Sequence, residues 1–136
     1  MKLSDLMQYL DTAKFWQREN GDVDFDNLIV YHLTSPANIE DIKNCGIKAR
    51  SSQQSYDRPA AVYFFAGKED ITQANVEILG LADGYNIIRV KIPAEKVLEN
   101  MVWDGLYNVS FETSSTAVQY FDDVPAEWIV SYDYKI

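Results

Sequence analysis

The sequence predicts an α+β domain, and three observations lead to this fold class. The first is the apolar run Leu28–Val30, which is typical of a buried strand and continues into the polar-ended segment Tyr31–Ser35. The second is a Ser-Pro pair followed ten residues later by Gly46, the start and stop signals of a helix. The third is a series of strand-like and helix-like segments without a linker in a chain of 136 residues that is 47% apolar. We therefore expect one domain that spans residues 1–136.

The N-terminal half predicts a helix, a strand and a second helix. Ser4–Arg18 places apolar side chains near helical spacing and an Asn-Gly-Asp sequence ends the pattern, so residues 1–20 are expected to be helical. The strand predicted for Leu28–His32 leads directly into the second helix. Ser35 supplies its cap, the proline that follows occupies its first turn, and Gly46 ends it.

The remaining elements follow from similar signals. Glu69–Leu81 carries an apolar face at helical spacing, formed by Ile71, Ala74, Ile78 and Leu79. Two Pro-Ala-Glu sequences, at 93–95 and 125–127, each follow a strand-like segment and indicate two strands that leave one sheet by similar helical turns. Strands are expected at Ala60–Ala66, Tyr85–Ile92, Val109–Glu112, Ala117–Phe121 and Trp128–Tyr134, with a polar loop at Ser51–Pro59.

Charge and composition disfavour several classes of function. The formal net charge is −9 and the 12 basic residues form no run, which argues against a protein that grips nucleic acid or an anionic membrane. With one histidine and one cysteine, we expect no metal site, and Cys45 is expected to be a small buried thiol. The first residues lack a charged head followed by an apolar core, and no stretch is long enough to span a bilayer. We expect a cytoplasmic protein.

The strand that ends in Tyr31-His32-Leu33-Thr34-Ser35 carries the strongest candidate for a binding residue. A histidine on an apolar strand is more often a core residue, so the order of the neighbouring elements decides the interpretation. That order is a strand with His-x-Thr, a capped helix, a polar loop, the tyrosine strand Ala61-Val62-Tyr63-Phe64, and the later exit Val124-Pro125-Ala126-Glu127. Over residues 28–136 it resembles the ADP-ribosyltransferase fold, in the His-Tyr-Glu branch that includes diphtheria toxin and the poly(ADP-ribose) polymerases. The resemblance implies a split mixed sheet with short flanking helices.

The resemblance also implies that NAD is bound as a substrate. His32 would contact the ribose next to nicotinamide, the backbone of Leu33 would hold the carboxamide, and Thr34 would support them. Tyr63 would stack on the nicotinamide ring, where the flat cationic ring gains about 1–2 kcal/mol on a phenol face. In the polar loop, Arg58 is the candidate clamp for the pyrophosphate and Tyr56 a further candidate contact.

The third residue of the family pattern is the point at which this sequence departs from it. The glutamate that usually lies on the strand before the Val-Pro exit is absent, and Gln119 and Glu112 are the candidates for its catalytic role. A carboxylate would orient a ribose hydroxyl and stabilise positive charge as the glycosidic bond breaks, whereas a neutral amide can only form hydrogen bonds.

Four interpretations follow. The leading one is an enzyme that transfers ADP-ribose from NAD to a protein or a small molecule. The second is a non-catalytic binding or inhibitor module of the same fold, which the missing glutamate favours. The third is an RNA 2'-phosphotransferase, whose pattern requires a second histidine that this chain lacks. The fourth is an unrelated α+β domain in which His32 is a core residue.

Overall fold

The computed structural model describes residues 27–50, 60–103 and 117–135, and these form a six-stranded sheet flanked by short helices. The predicted N-terminal helix, the polar loop 51–59 and the strand expected at Val109–Glu112 lie outside the described residues. The strands are β1 (Asn27–Thr34), β2 (Val62–Phe65), β3 (Asn86–Pro93), β4 (Met101–Trp103), β5 (Ala117–Tyr120) and β6 (Ile129–Ser131), and the helices are α1 (Ile39–Cys45), α2 (Gln73–Ile78) and α3 (Ala94–Asn100). Three 3-10 turns occupy Pro36–Asn38, Lys68–Asp70 and Ala126–Trp128.

The strand order is β4-β5-β2-β1-β3-β6, and every pairing among the described strands is antiparallel. The α+β class is therefore confirmed, but the expectation of a mixed sheet is wrong for this part of the chain. The pairings differ greatly in extent. β1 pairs with β3 along all eight residues, from Asn27↔Pro93 to Thr34↔Asn86, whereas β1 pairs with β2 at the single position Tyr31↔Phe65. The sheet is thus weakest between β1 and β2.

Side-chain alternation divides the sheet into two buried faces. The His32 face carries the larger core, which α1 and α3 cover with Ile42 and Val97. Its strand residues are Leu28, Val30, Val62, Phe64, Ile88, Val90, Ile92, Met101, Val118 and Tyr120. The Tyr63 face carries a smaller core of Leu33, Phe65, Ala117 and, from α2, Val76, next to a cluster of Ile29, Tyr31 and Ile87. Both faces of the strands are therefore apolar, which explains their near-continuous apolar sequences.

The ends of the α1 region agree with the local signals in the sequence. Ser35 Oγ accepts a hydrogen bond from Ala37 N over 3.4 Å, and a proline begins the 3-10 turn that leads into α1. Gly46 ends α1 with φ 73° and ψ −169°. The two Pro-Ala-Glu sequences also agree, since Pro93 precedes α3 and Pro125 precedes the 3-10 turn, and both turns pack on the His32 face.

Two local expectations are wrong, and one strand was not predicted. Cys45 is exposed, because Ile42 is the one residue of the short helix α1 that is buried in the core. The helix expected at Glu69–Leu81 is a 3-10 turn followed by the six-residue α2, which buries Val76 while Ala74 faces solvent. Strand β4 had no prediction; its three residues pair with β5. Among the described residues, no helix is long and apolar enough to cross a membrane.

Candidate functional site

The sheet places three of the predicted site residues on neighbouring strands. His32 lies on β1, Tyr63 on β2 and Gln119 on β5, and these strands are adjacent in the order β5-β2-β1. Tyr63 and Gln119 are direct cross-strand partners, so their side chains leave the same face side by side. His32 is connected to Tyr63 by a hydrogen bond of 2.7 Å between its Nδ1 atom and the carbonyl oxygen of Tyr63.

The hydrogen bond from His32 lies where β1 and β2 separate. Beyond the Tyr31↔Phe65 pair, β1 continues to pair with β3 through Thr34, but it has no further pair with β2. The imidazole of His32 therefore supplies a contact between the two strands in place of a backbone ladder. Backbone groups along this stretch need partners other than a ladder, and His32 supplies one for the carbonyl of Tyr63.

The partner of Nδ1 determines the tautomer of His32. A carbonyl oxygen can only accept, so Nδ1 carries the hydrogen and donates it to Tyr63, and Nε2 of the neutral ring is left as an acceptor. Burial lowers the pKa of His32 below its usual value, and the bond to the Tyr63 carbonyl opposes this in part. The ring also meets the edge of Phe64, with centroids 5.7 Å apart at 68°. His32 is therefore neutral near pH 7, with Nε2 as a hydrogen-bond acceptor.

Tyr63 is the least buried of three consecutive aromatic residues on β2. Phe64 packs in the core of the His32 face and Phe65 in the core of the Tyr63 face, while Tyr63 is partly exposed. Because side chains alternate along a strand, the phenol of Tyr63 and the imidazole of His32 lie on opposite faces of the sheet. The connection between the two residues is the hydrogen bond from His32 to the backbone of Tyr63, at the point where β1 and β2 separate.

Gln119 is a buried polar residue in the middle of the Tyr63 face. It lies between Tyr63 on β2 and Val102 on β4, and 8% of it is exposed. Within the part of the chain that the structure describes, its amide has no hydrogen-bond partner. An amide side chain can both donate and accept hydrogen bonds, but it carries no charge.

Thr34 and Leu33, the other predicted contacts on β1, lie at its end. Thr34 is 7% exposed, and its Oγ1 accepts a hydrogen bond of 2.9 Å from Asn38 Nδ2. The Leu33 side chain packs in the core of the Tyr63 face, which leaves its backbone as the part that a ligand can use. Tyr56, Arg58 and Glu112, the remaining candidates, lie outside the described residues.

Sequence reasoning missed Asn38. Its side chain bonds to Thr34, one of the residues that the sequence did select. The signal was the four-residue spacing between a threonine at a strand end and an amide in the following turn, a separation at which a side chain can reach back along the chain.

A shallow surface pocket lies elsewhere, beside the end of α1, and its contacts are structural. Asp123 Oδ1 accepts from the backbone N of Ala49 over 2.8 Å, and its Oδ2 lies 3.5 Å from Lys48 Nζ. The hydrogen bond from Ala49 lowers the pKa of Asp123, and Lys48 adds to this. These contacts fasten the segment after α1 to the turn after β5. No group of three or more histidine, cysteine or acidic residues that could hold a metal ion occurs within residues 27–50, 60–103 and 117–135.

Comparison with known proteins gives no match, either to a protein-family model or to a curated protein. The geometry of β1, β2 and β5 is therefore the basis for any assignment of function.

Proposed function

We propose that this chain binds NAD and is an ADP-ribosyltransferase-like enzyme. The proposal is supported by one observation above the others: three residues that are distant in sequence, His32, Tyr63 and Gln119, lie on three adjacent strands, where Tyr63 pairs with Gln119 and the Tyr63 backbone accepts a hydrogen bond from His32. The sequence resemblance implies that His32 and Tyr63 contact the substrate, and Gln119 is one of the two candidates for the third position. His32 and Gln119 carry hydrogen-bonding groups suited to a ribose.

In the proposed complex, His32 and Tyr63 hold the nicotinamide half of NAD. Nε2 of His32 accepts a hydrogen bond from a ribose hydroxyl, since the bond to Tyr63 already uses the hydrogen on Nδ1. The partly exposed phenol of Tyr63 offers its face to the nicotinamide ring. The backbone of Leu33 provides a donor and an acceptor for the carboxamide, because its side chain is held in the core.

In this proposal, the neutral side chain of Gln119 limits the rate at which the bond between nicotinamide and the ribose breaks. When the bond between nicotinamide and the ribose breaks, the electron pair leaves with nicotinamide and positive charge develops on the sugar. The Gln119 amide orients a ribose hydroxyl but supplies no negative charge to stabilise that sugar, as a carboxylate would. We therefore expect slow transfer, with a protein or a small molecule as the acceptor. The net charge of −9 disfavours nucleic acid as acceptor.

The same residue favours a second candidate, a non-catalytic module that binds NAD without cleaving it. The two candidates differ in whether the neutral amide of Gln119 allows any turnover. They make the same prediction for binding and opposite predictions for the release of nicotinamide by the wild-type chain.

The test is nicotinamide release from NAD by the purified full chain and by Gln119→Glu. We expect slow release by the wild type and an increase of about 10²-fold in the variant, the size of a well-placed electrostatic contribution. Asn44→Asp, which makes the same amide-to-acid change at an exposed position of α1, is the control and should leave the rate unchanged. Release by Gln119→Glu alone would favour the non-catalytic module. No binding of NAD by either protein would refute both candidates.

A further inference from the structure

The hydroxyl of Thr34 is held in one orientation by Asn38. Asn38 Nδ2 donates to Thr34 Oγ1 over 2.9 Å, and Thr34 is 7% exposed. A threonine hydroxyl has one donor hydrogen and two acceptor lone pairs. Because the amide of Asn38 uses one lone pair, the hydroxyl hydrogen points away from Asn38. Within the described part of the chain, this hydrogen has no acceptor.

The amide of Asn38 does not stabilise the start of α1. Its backbone is already helical, with φ −89° and ψ −7°, and its side chain forms no cap hydrogen bond. The cap of the preceding turn is Ser35, which accepts from Ala37 N. The bond to Thr34 is therefore the one polar contact that the described structure gives to the Asn38 side chain.

We infer that Asn38 is a positioning residue, whose amide holds the Thr34 hydroxyl so that its hydrogen is presented to an oxygen of the bound nucleotide. The inference rests on the proposed NAD site. His32 and Thr34 are alternate residues of β1, so they leave the strand on the same face about 7 Å apart. The acceptor Nε2 of His32 and the donor hydroxyl of Thr34 then form a complementary pair for a sugar that carries both a hydroxyl hydrogen and an acceptor oxygen.

Asn38→Asp tests this role, because it reverses the direction of the hydrogen bond. A carboxylate can only accept, so Thr34 would donate its hydrogen to Asp instead of to the ligand. Asparagine and aspartate are similar at helix starts, so the melting temperature should be unchanged or slightly higher. The Kd for NAD, measured by calorimetry on the full chain, is expected to rise about tenfold, which corresponds to the loss of about 1.4 kcal/mol.

Three further variants separate positioning from charge and from folding. Ala37→Asp adds the same charge one residue away and should leave the Kd within about twofold of the wild type, because exposed charges interact weakly. Thr34→Val should weaken binding as much as Asn38→Asp, and the double variant should be no weaker than Thr34→Val alone. Asn38→Ser, which can still donate a hydrogen bond, should recover part of the affinity.

Two outcomes would overturn the inference, and they are distinguishable. If the wild type binds NAD and Asn38→Asp binds it equally well, the hydroxyl of Thr34 is not oriented by Asn38, and the proposed function stands without it. If the wild type does not bind NAD, this inference and the proposed function both fail.

Discussion

Among the described glycines, Gly46 is the one at which an added methyl group should lower the free energy of unfolding most. Its φ of 73° and ψ of −169° fall in a region that is almost restricted to glycine. A Cβ there would overlap the carbonyl oxygen of Val124 and lie 3.0 Å from Ala126 N. The neighbouring Ile47 forms two backbone hydrogen bonds of 2.8 Å with Val124, and these hold the segment after α1 against the turn after β5. Gly46→Ala should therefore disrupt this contact.

The size of the loss can be estimated from those contacts. Backbone strain contributes about 1–3 kcal/mol, and each of the two backbone hydrogen bonds contributes about 0.5–1.5 kcal/mol. We expect Gly46→Ala to lower the free energy of unfolding by about 2–6 kcal/mol. Gly80 is the matched control, since its φ is also 73° but a Cβ there meets nothing within 4 Å. Gly80→Ala should cost only about 1–2 kcal/mol of backbone strain.

Urea denaturation followed by circular dichroism measures both losses. We expect the free energy of unfolding to fall further in Gly46→Ala than in Gly80→Ala, with similar m-values for the two variants. Equal losses would refute the close packing of Gly46 against Val124 and leave backbone strain as the full explanation.

Two further predictions concern a helix cap and the titration of the one histidine. Thr72→Ala removes the hydroxyl that accepts a hydrogen bond of 3.2 Å from Asn75 N at the start of α2. The free energy of unfolding, measured by urea denaturation, should fall by about 1 kcal/mol. Thr72→Ser should retain most of the stability, and equal losses in the two variants would contradict the cap. Burial lowers the pKa of His32, so as pH falls below about 6.5 the unfolded chain takes up a proton that the folded chain resists. Stability should be fully present above that pH and decrease below it, and denaturation between pH 5 and 7.5 should show this slope in the wild type and lose it in His32→Gln.

Local signals in the sequence predicted the elements whose causes are local. Ser35 and Gly46 act on the backbone next to them, so the start and stop of the α1 region were identified correctly. Alternation along one strand also explains why Phe64 and Phe65 lie on opposite faces. The prediction that Cys45 is buried was wrong, because its exposure depends on how much of the short helix α1 contacts the sheet, and distant residues determine this.

The geometry of the site depends on contacts between residues that are distant in sequence, and local sequence patterns do not predict such contacts. The resemblance selected His32 and Tyr63 and left Gln119 and Glu112 as candidates for the third position. The register between β2 and β5 makes Tyr63 and Gln119 partners, and register is a property of the whole sheet. The single pair between β1 and β2, and the bond from His32 to the Tyr63 carbonyl, depend on packing across both faces. Strand β4 was missed for another reason: its three residues are too few to show a strand pattern.

Calorimetric titration of NAD into the full chain measures whether the site at His32 binds this nucleotide. The account predicts that the wild type binds NAD and that His32→Ala does not, because the variant lacks the Nε2 acceptor at the opening between β1 and β2. Ile88→Val is the control; it changes the cross-strand partner of His32 and should lower stability by about 0.5–1.5 kcal/mol without loss of binding. Absence of binding by the wild type, or equal binding by wild type and His32→Ala, would contradict the assignment of this opening as the NAD site.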